Sequence, residues 1–144
     1  MVFVCTGNIC RSPYAESVGK NHGLIAVSCG VDTQNGLPAD PTAILEAGRR
    51  GRDMTAHRTT RWQDLKIGGG DLIVATELRH AMEVRSKARE NNCPVVLLSS
   101  LLPERFEVLR DPHGRSLQVY SRTFDLIDRS VERLAQRVHG TNGG

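Results

Sequence analysis

The sequence predicts an α/β fold: a single three-layer domain with a four-stranded parallel sheet flanked by helices. Three observations carry that prediction. Short β-branched runs alternate with helical stretches in four strand–helix units, which a parallel sheet with right-handed crossovers buries on both faces. The first run leads into Cys5-Thr6-Gly7-Asn8-Ile9-Cys10-Arg11-Ser12-Pro13, a loop between strand 1 and helix 1, at the edge where open sheets bind ligands. Near the end, Leu117, Tyr120, Phe124, Ile127, Val131, Leu134 and Val138 recur three or four apart and draw one apolar stripe along a long final helix.

The elements follow in order. Met1-Val2-Phe3-Val4 reads as a buried strand. Ser12-Pro13 reads as an N-cap followed by proline at the first helical position, opening a helix over 13–22 that faces the sheet with Ala15, Val18 and Gly19. His22-Gly23 stops it, and Leu24 to Cys29 forms the second strand. Residues 31–41 are a loop, and Asp40-Pro41 caps a helix over 42–50. Residues 51–70 hold turns, a short helix around Trp62 and the flexible Gly68-Gly69-Gly70. Strand three is Asp71 to Ala75, ended by Thr76-Glu77, with a helix from Leu78 to Glu90. Strand four is Pro94 to Leu98, whose proline blunts one side. A partly apolar stretch that includes Phe106 and Val108 runs to Arg110-Asp111-Pro112-His113-Gly114. The domain is expected over 1–139, with a frayed tail over 140–144.

Composition narrows the class. At 144 residues the chain is one domain, and 39% hydrophobic residues suffice for one core. Aromatics are only 4%, so aliphatic side chains must fill that core. A formal charge of +3 with scattered basic residues is not a nucleic-acid platform. Without a long apolar run or a signal peptide, the reading is a soluble cytoplasmic protein that does not insert in membranes. Four cysteines, at 5, 10, 29 and 93, lack the spacing of zinc pairs. Cys29 and Cys93 lie in or beside strands and read as inert core thiols.

The loop carries the chemistry. Gly7 permits a tight turn, and backbone N–H groups curling over a helix N-terminus converge on one anion. Arg11 adds a planar fork of donors suited to phosphate oxygens. Cys5 lies at the base of this cup, where a helix end and cations lower a thiol pKa from about 8.5 to about 3.5–7.5. A thiolate held against phosphorus points to in-line attack and a phosphocysteine intermediate. Cys10, in the same loop, is placed for disulfide exchange with Cys5. Asp111, before a proline in a late loop, is the candidate proton donor to the leaving oxygen, with a helix N-cap as the plain alternative. His57 alone reads as a surface or satisfied histidine, and His22, His80, His113 and His139 read as surface or near-surface residues. His113 stands out because it flanks Asp111.

The string Val4-Cys5-Thr6-Gly7-Asn8-Ile9-Cys10-Arg11-Ser12-Pro13 resembles the signature of the low-molecular-weight protein tyrosine phosphatases. Ser28-Cys29-Gly30, Asp40-Pro41, His57-Arg58 and Asp111-Pro112 extend the resemblance from Val2 to about Val138. It implies a phosphatase loop of Thr6, Gly7, Asn8, Ile9 and Cys10, with Cys5 as nucleophile, Arg11 as phosphate fork and Asp111 as general acid and then base. It also implies a hydrogen-bonded support of Asn8, Ser12, Ser28 and His57, and a reversible Cys5–Cys10 bond that protects the nucleophile. No cofactor and no metal are called for, and an ionised thiol beside a protonated acid gives a bell-shaped rate profile with an acidic optimum.

Substrate choice depends on the cup's walls. Family members acting on phosphotyrosine often carry aromatics after the second strand and after the Asp-Pro. This chain has Thr33 or Gln34 and His113-Gly114 there. Trp62 and Phe106 are possible substitutes. Ile9 stands where the related protein-arginine phosphatases carry threonine, which favours the tyrosine type. The expected substrate is a tyrosine-phosphorylated protein, with bacterial tyrosine autokinases as one candidate partner, and the chain is expected as a monomer or weak oligomer. The rival readings are a protein-arginine phosphatase, a thiol-coupled arsenate reductase and a non-catalytic phosphate-binding module.

Overall fold

The computed structural model describes residues 1–103 and 109–141. Phe106 and Val108 lie outside the described residues. Four short strands, β1 (Val2–Cys5), β2 (Val27–Gly30), β3 (Ile73–Ala75) and β4 (Val95–Leu97), form one parallel sheet in the order β2-β1-β3-β4. Val2 pairs with Val27 on one side and Ile73 on the other, and Ile73 pairs with Val95. Four helices complete the domain: α1 (Arg11–Asn21), α2 (Pro41–Arg49), α3 (Leu78–Glu90) and α4 (Leu117–Thr141).

Strand alternation divides the core. Phe3 and Val74 point into a cluster built with α1, α2 and α4, while Val2, Val4 and Ile73 point to the α3 face with Trp62, Val84 and Ala88. Helices thus cover both faces of the sheet. The few aromatics concentrate where α1 meets α4: Tyr14 stacks on Phe124 with centroids 3.8 Å apart, and Tyr120 meets Phe124 edge-on at 6.0 Å. The apolar stripe of α4 is buried from Tyr120 to Leu134, but Leu117 is 39% exposed because it opens the helix beyond the packed face. The helix continues through Gly140 and Thr141, which were expected to fray, and residues 142–144 lie outside the described residues.

Several boundaries differ from the sequence reading, β3 and β4 being shorter than expected, and those of α1 and β2 have local reasons. α1 starts at Arg11, so Pro13 sits in the first turn, where a missing N–H costs nothing, and Ser12 caps no helix because its hydroxyl turns to Cys5. β2 starts at Val27, because Gly23 and Leu24 close α1: Gly23 N–H reaches the Lys20 carbonyl and Leu24 N–H the Gly19 carbonyl, with Gly23 at φ 79°. Pro94 sits just before β4, an edge strand that loses nothing to its missing donor. Asp40 caps α2 as its spacing implies, one carboxylate oxygen accepting from both Thr42 and Ala43 N–H.

Candidate active site

Cys5 ends β1 at the centre of the sheet's C-terminal edge, and the loop after it folds back over the α1 N-terminus. The Cys5 sulfur takes the Asn8 amide at 3.2 Å and lies 2.9 Å from Ser12 Oγ. Asn8 makes that turn possible. It holds φ 57°, a left-handed conformation that asparagine adopts more readily than most residues, and it is fully buried. Its side-chain amide donates to Ser12 Oγ at 2.8 Å and Ser28 Oγ at 2.9 Å, while its Oδ1 accepts from Thr60 N–H at 2.9 Å. His57 Nε2 donates to the Asn8 backbone carbonyl at 2.7 Å. The structure therefore brings Asn8, Ser12, Ser28 and His57 together from four segments, around the base of the loop.

Gly30 faces the same loop from β2. A Cβ there would stand 2.6 Å from the Thr6 carbonyl oxygen and 3.0 Å from the Asn8 nitrogen. Only glycine lets the backbone of β2 approach the loop this closely.

Arg11 is 1% exposed, and its Nη1 donates to Glu77 Oε2 at 2.7 Å and to the Leu109 carbonyl at 2.6 Å. Its Nη2 lies 3.9 Å from Asp111 Oδ2. Its Nε is buried with no hydrogen-bond partner among the described residues. Native proteins rarely leave such a donor orphaned, and a guanidinium N–H is suited to an anionic oxygen. Burial works to raise the Glu77 pKa, but the hydrogen bond and charge of Arg11, joined by Arg79, hold the carboxyl below its usual range.

Asp111 is 44% exposed, and its Oδ1 accepts the His113 amide at 3.1 Å, a local turn that presents the carboxylate at the rim. Cys5, Thr6, Gly7, Ile9, Cys10, Arg11, Asp111 and His113 together line a cavity of about 200 Å³. A larger cleft of about 530 Å³ lies between α1 and residues 51–57, but its Glu16, Lys20, Arg52 and Asp53 offer charges of both signs, and no cysteine lines it.

Thr33 and Gln34 are not among the residues that line this cavity. Two expectations need correction. Trp62 is 4% exposed in the core beneath α3, with Lys87 Nζ 4.6 Å from its ring centre, so it is not a wall of the cavity. His80 is fully buried rather than near the surface. Thr6 Oγ1 lies 2.8 Å from its Nε2 and Thr76 Oγ1 3.1 Å from its Nδ1. Because Thr76 gives its proton to the Val4 carbonyl, His80 donates from Nδ1 and accepts from Thr6 at Nε2. Burial, aided by the charge of Arg11, pushes its pKa down to about 4, so the ring is neutral. Sequence reasoning missed His80 and Glu77. The available signal was position: Thr76-Glu77 ends β3 at the same sheet edge as Cys5, and His80 follows one turn on.

All four cysteines are free thiols. Burial, partly offset by a hydrogen bond with Tyr120, pushes the Cys10 thiol up to about 12.

A parallel α/β domain that gathers a thiol, an arginine fork and a carboxylate around one anion-sized cup fits the class of cysteine-based phosphatases. The model of a family described as low molecular weight phosphotyrosine protein phosphatase matches residues 1–142, and the chain belongs to that family. Similar curated proteins include Wzb, a low molecular weight protein-tyrosine-phosphatase of Escherichia coli, 30% identical over 141 residues that cover 96% of this chain and 95% of that one. The probable low molecular weight protein-tyrosine-phosphatase EpsP of Ralstonia nicotianae is 28% identical over 140 residues, covering 96% and 94%. Among solved structures, the YwlE arginine phosphatase from Geobacillus stearothermophilus superposes with a TM-score of 0.85 at 25% identity, covering 97% of this chain and 92% of that one. A low molecular weight protein tyrosine phosphatase from T. tengcongensis superposes with a TM-score of 0.77 at 30% identity, covering 94% and 97%. Among the described residues, no helix is long and apolar enough to cross a membrane.

Proposed function

We propose that this enzyme hydrolyses phosphotyrosine in proteins through a phosphocysteine intermediate. The observation that carries the reading is the shared cavity: the Cys5 sulfur at its base, the orphaned Arg11 Nε beside it and Asp111 at its rim. In the first step the Cys5 thiolate attacks phosphorus, the bond to the phenolic oxygen breaks, and Asp111 gives that oxygen its proton. Arg11 and the loop amides hold the charge on the three equatorial oxygens. In the second step water attacks phosphorus, Asp111 takes its proton, and the sulfur leaves as thiolate with a hydrogen bond from Ser12. The chemistry asks for no metal or cofactor.

Ile9 and the named activities of Wzb and EpsP favour phosphotyrosine. The macromolecular substrate in this reading is a tyrosine-phosphorylated protein of the cytoplasm, a tyrosine autokinase being one candidate. A second reading, phosphoarginine, is favoured by one observation: no Phe, Tyr or Trp ring is among the described residues lining the cavity, and only Asp111 and His113 line it outside the loop and Arg11. The test is turnover of an aryl phosphate across pH 4.5–8 with a chelator present, for wild type and Cys5→Ser, followed by competition between phosphotyrosine and phosphoarginine peptides. Turnover that peaks below neutral pH, vanishes in Cys5→Ser and prefers phosphotyrosine supports the proposal. Turnover without Cys5 overturns the mechanism, and preference for phosphoarginine overturns the substrate.

A further inference from the structure

Three side chains from distant segments meet at the mouth of the cavity, and the phosphatase chemistry uses none of them directly. Cys10 Sγ, Asp40 and His113 offer ligand atoms that all lie within 4.8 Å of one another. Asp40 divides its carboxylate between two tasks. Oδ2 takes the α2 cap from Thr42 and Ala43 N–H and the Tyr120 hydroxyl at 2.7 Å. Oδ1 faces His113 Nδ1 at 3.4 Å. The Tyr120 hydroxyl donates to Asp40 Oδ2, and Cys10 Sγ lies 3.5 Å from the Tyr120 oxygen.

The geometry points to a divalent-cation site of the zinc class formed by Cys10 Sγ, Asp40 Oδ1 and His113 Nδ1. Sulfur, imidazole nitrogen and carboxylate oxygen are the donor set that zinc selects over magnesium or calcium. Bonds of about 2.0–2.3 Å set at tetrahedral angles place ligand atoms roughly 3.3–3.7 Å apart, which the Asp40–His113 separation already meets. His113 is 57% exposed, and the α2 cap and Tyr120 hold Asp40 in place. That support orients the carboxylate as an outer shell does in built metal sites. On binding, the S–H bond of Cys10 breaks, its proton leaves to solvent and a sulfur–metal bond forms, while His113 gives a neutral nitrogen lone pair. A fourth position stays open to water.

The consequence is a reversible block. Cys10 and His113 both line the cavity that holds Cys5 and Arg11, so a cation between them narrows its mouth and pins the segment that carries Asp111. This inhibitory consequence rests on the phosphatase reading, but binding does not.

Cobalt titration of reduced protein tests binding, because a cobalt–thiolate bond gives a charge-transfer band that cobalt on nitrogen and oxygen lacks. Wild type and Cys5→Ser are expected to show the band at one equivalent, Cys10→Ser to lack it, and His113→Ala to need at least tenfold more metal. His113 lies on an exposed loop, so that variant reports even if Cys10→Ser fails to fold. In parallel, zinc is expected to inhibit aryl phosphate turnover with reversal by chelator, and His113→Ala to resist at least tenfold more zinc. No band in wild type overturns the site. So does a band lost in Cys5→Ser and kept in His113→Ala, since the metal then sits on the nucleophile. Equal inhibition of His113→Ala by zinc overturns it as well.

Discussion

Glu77 Oε2 lies 2.7 Å from Arg11 Nη1, although Glu77 is not among the residues lining the cavity. With the Leu109 carbonyl on the same nitrogen, this contact fixes the guanidinium plane and leaves Nε without a partner among the described residues, the atom the proposed mechanism assigns to the phosphate. Arg79 also binds Glu77 and reaches Thr6 Oγ1 at 2.9 Å, joining the arginine's support to the loop itself.

Glu77→Gln is therefore expected to lower kcat/KM by roughly 10–100-fold, because small misplacements of a positioned group are costly at the reacting centre. Stability should change far less. Inorganic phosphate should bind more weakly by a similar factor, measured as a competitive inhibition constant. Unchanged phosphate affinity in a folded Glu77→Gln would show that Arg11 orients itself.

Gly30→Ala tests the close approach of β2 to the loop. The added carbon would press on the Thr6 carbonyl and the Asn8 amide, both backbone, so the loop must shift. The expected result is a folded protein destabilised by about 1–3 kcal/mol, as for other overpacked sites, with phosphate binding lost. Urea unfolding and phosphate titration measure the two effects separately. A variant with normal phosphate affinity would place the loop further from β2.

Asn8→Ala removes a side chain that bonds Ser12, Ser28 and Thr60 while holding φ 57°. Losing these buried bonds and leaving their partners unsatisfied costs about 1–3 kcal/mol, and the left-handed backbone adds about 1 kcal/mol for an ordinary residue. Asn8→Gly should recover part of the backbone cost and none of the bonding. Comparing the two urea midpoints separates strain from hydrogen bonding, and equal midpoints would assign the whole loss to the side chain.

The loop was legible because its residue types act locally: a glycine, a left-handed asparagine and an arginine one strand-to-helix turn from a cysteine. The four-stranded parallel sheet and the α4 stripe were legible from periodicity, which reports burial directly. Glu77, His80 and the fate of Trp62 were not, because each is decided by what another segment places beside it. Trp62 reads as a candidate wall until α3 covers it. His80 carries no local mark of burial, since its partners Thr6 and Thr76 come from β1 and β3 ends that only the sheet order makes neighbours. Ser12 shows the opposite failure: its local cap pattern was real, but the Cys5 sulfur and Asn8 amide outcompeted the helix for its hydroxyl.

His80 supplies the pH prediction. Its ring is buried against Thr6 and Thr76, faces Glu77, Arg79 and Arg11, and has its pKa pushed from 6.5 down to about 4. The unfolded chain therefore binds more protons than the folded one between those values, so stability rises with pH across the window. The neutral ring's contribution is complete above about 6.5 and is lost as pH falls toward 4, where both states are protonated. Carboxylates such as Glu77, whose pKa is lowered in the fold, add their own acid loss mainly below about pH 5. The clean window is thus between about pH 5 and 6.5, where the urea midpoint of wild type should fall with acidification by a slope approaching one proton. His80→Gln keeps a donor and an acceptor near Thr6 and Thr76 but cannot titrate. It should be less stable at neutral pH and show a flatter slope in that window. A slope identical to wild type would mean that His80 protonates in place, with the loop opening around Thr6 to admit the charge.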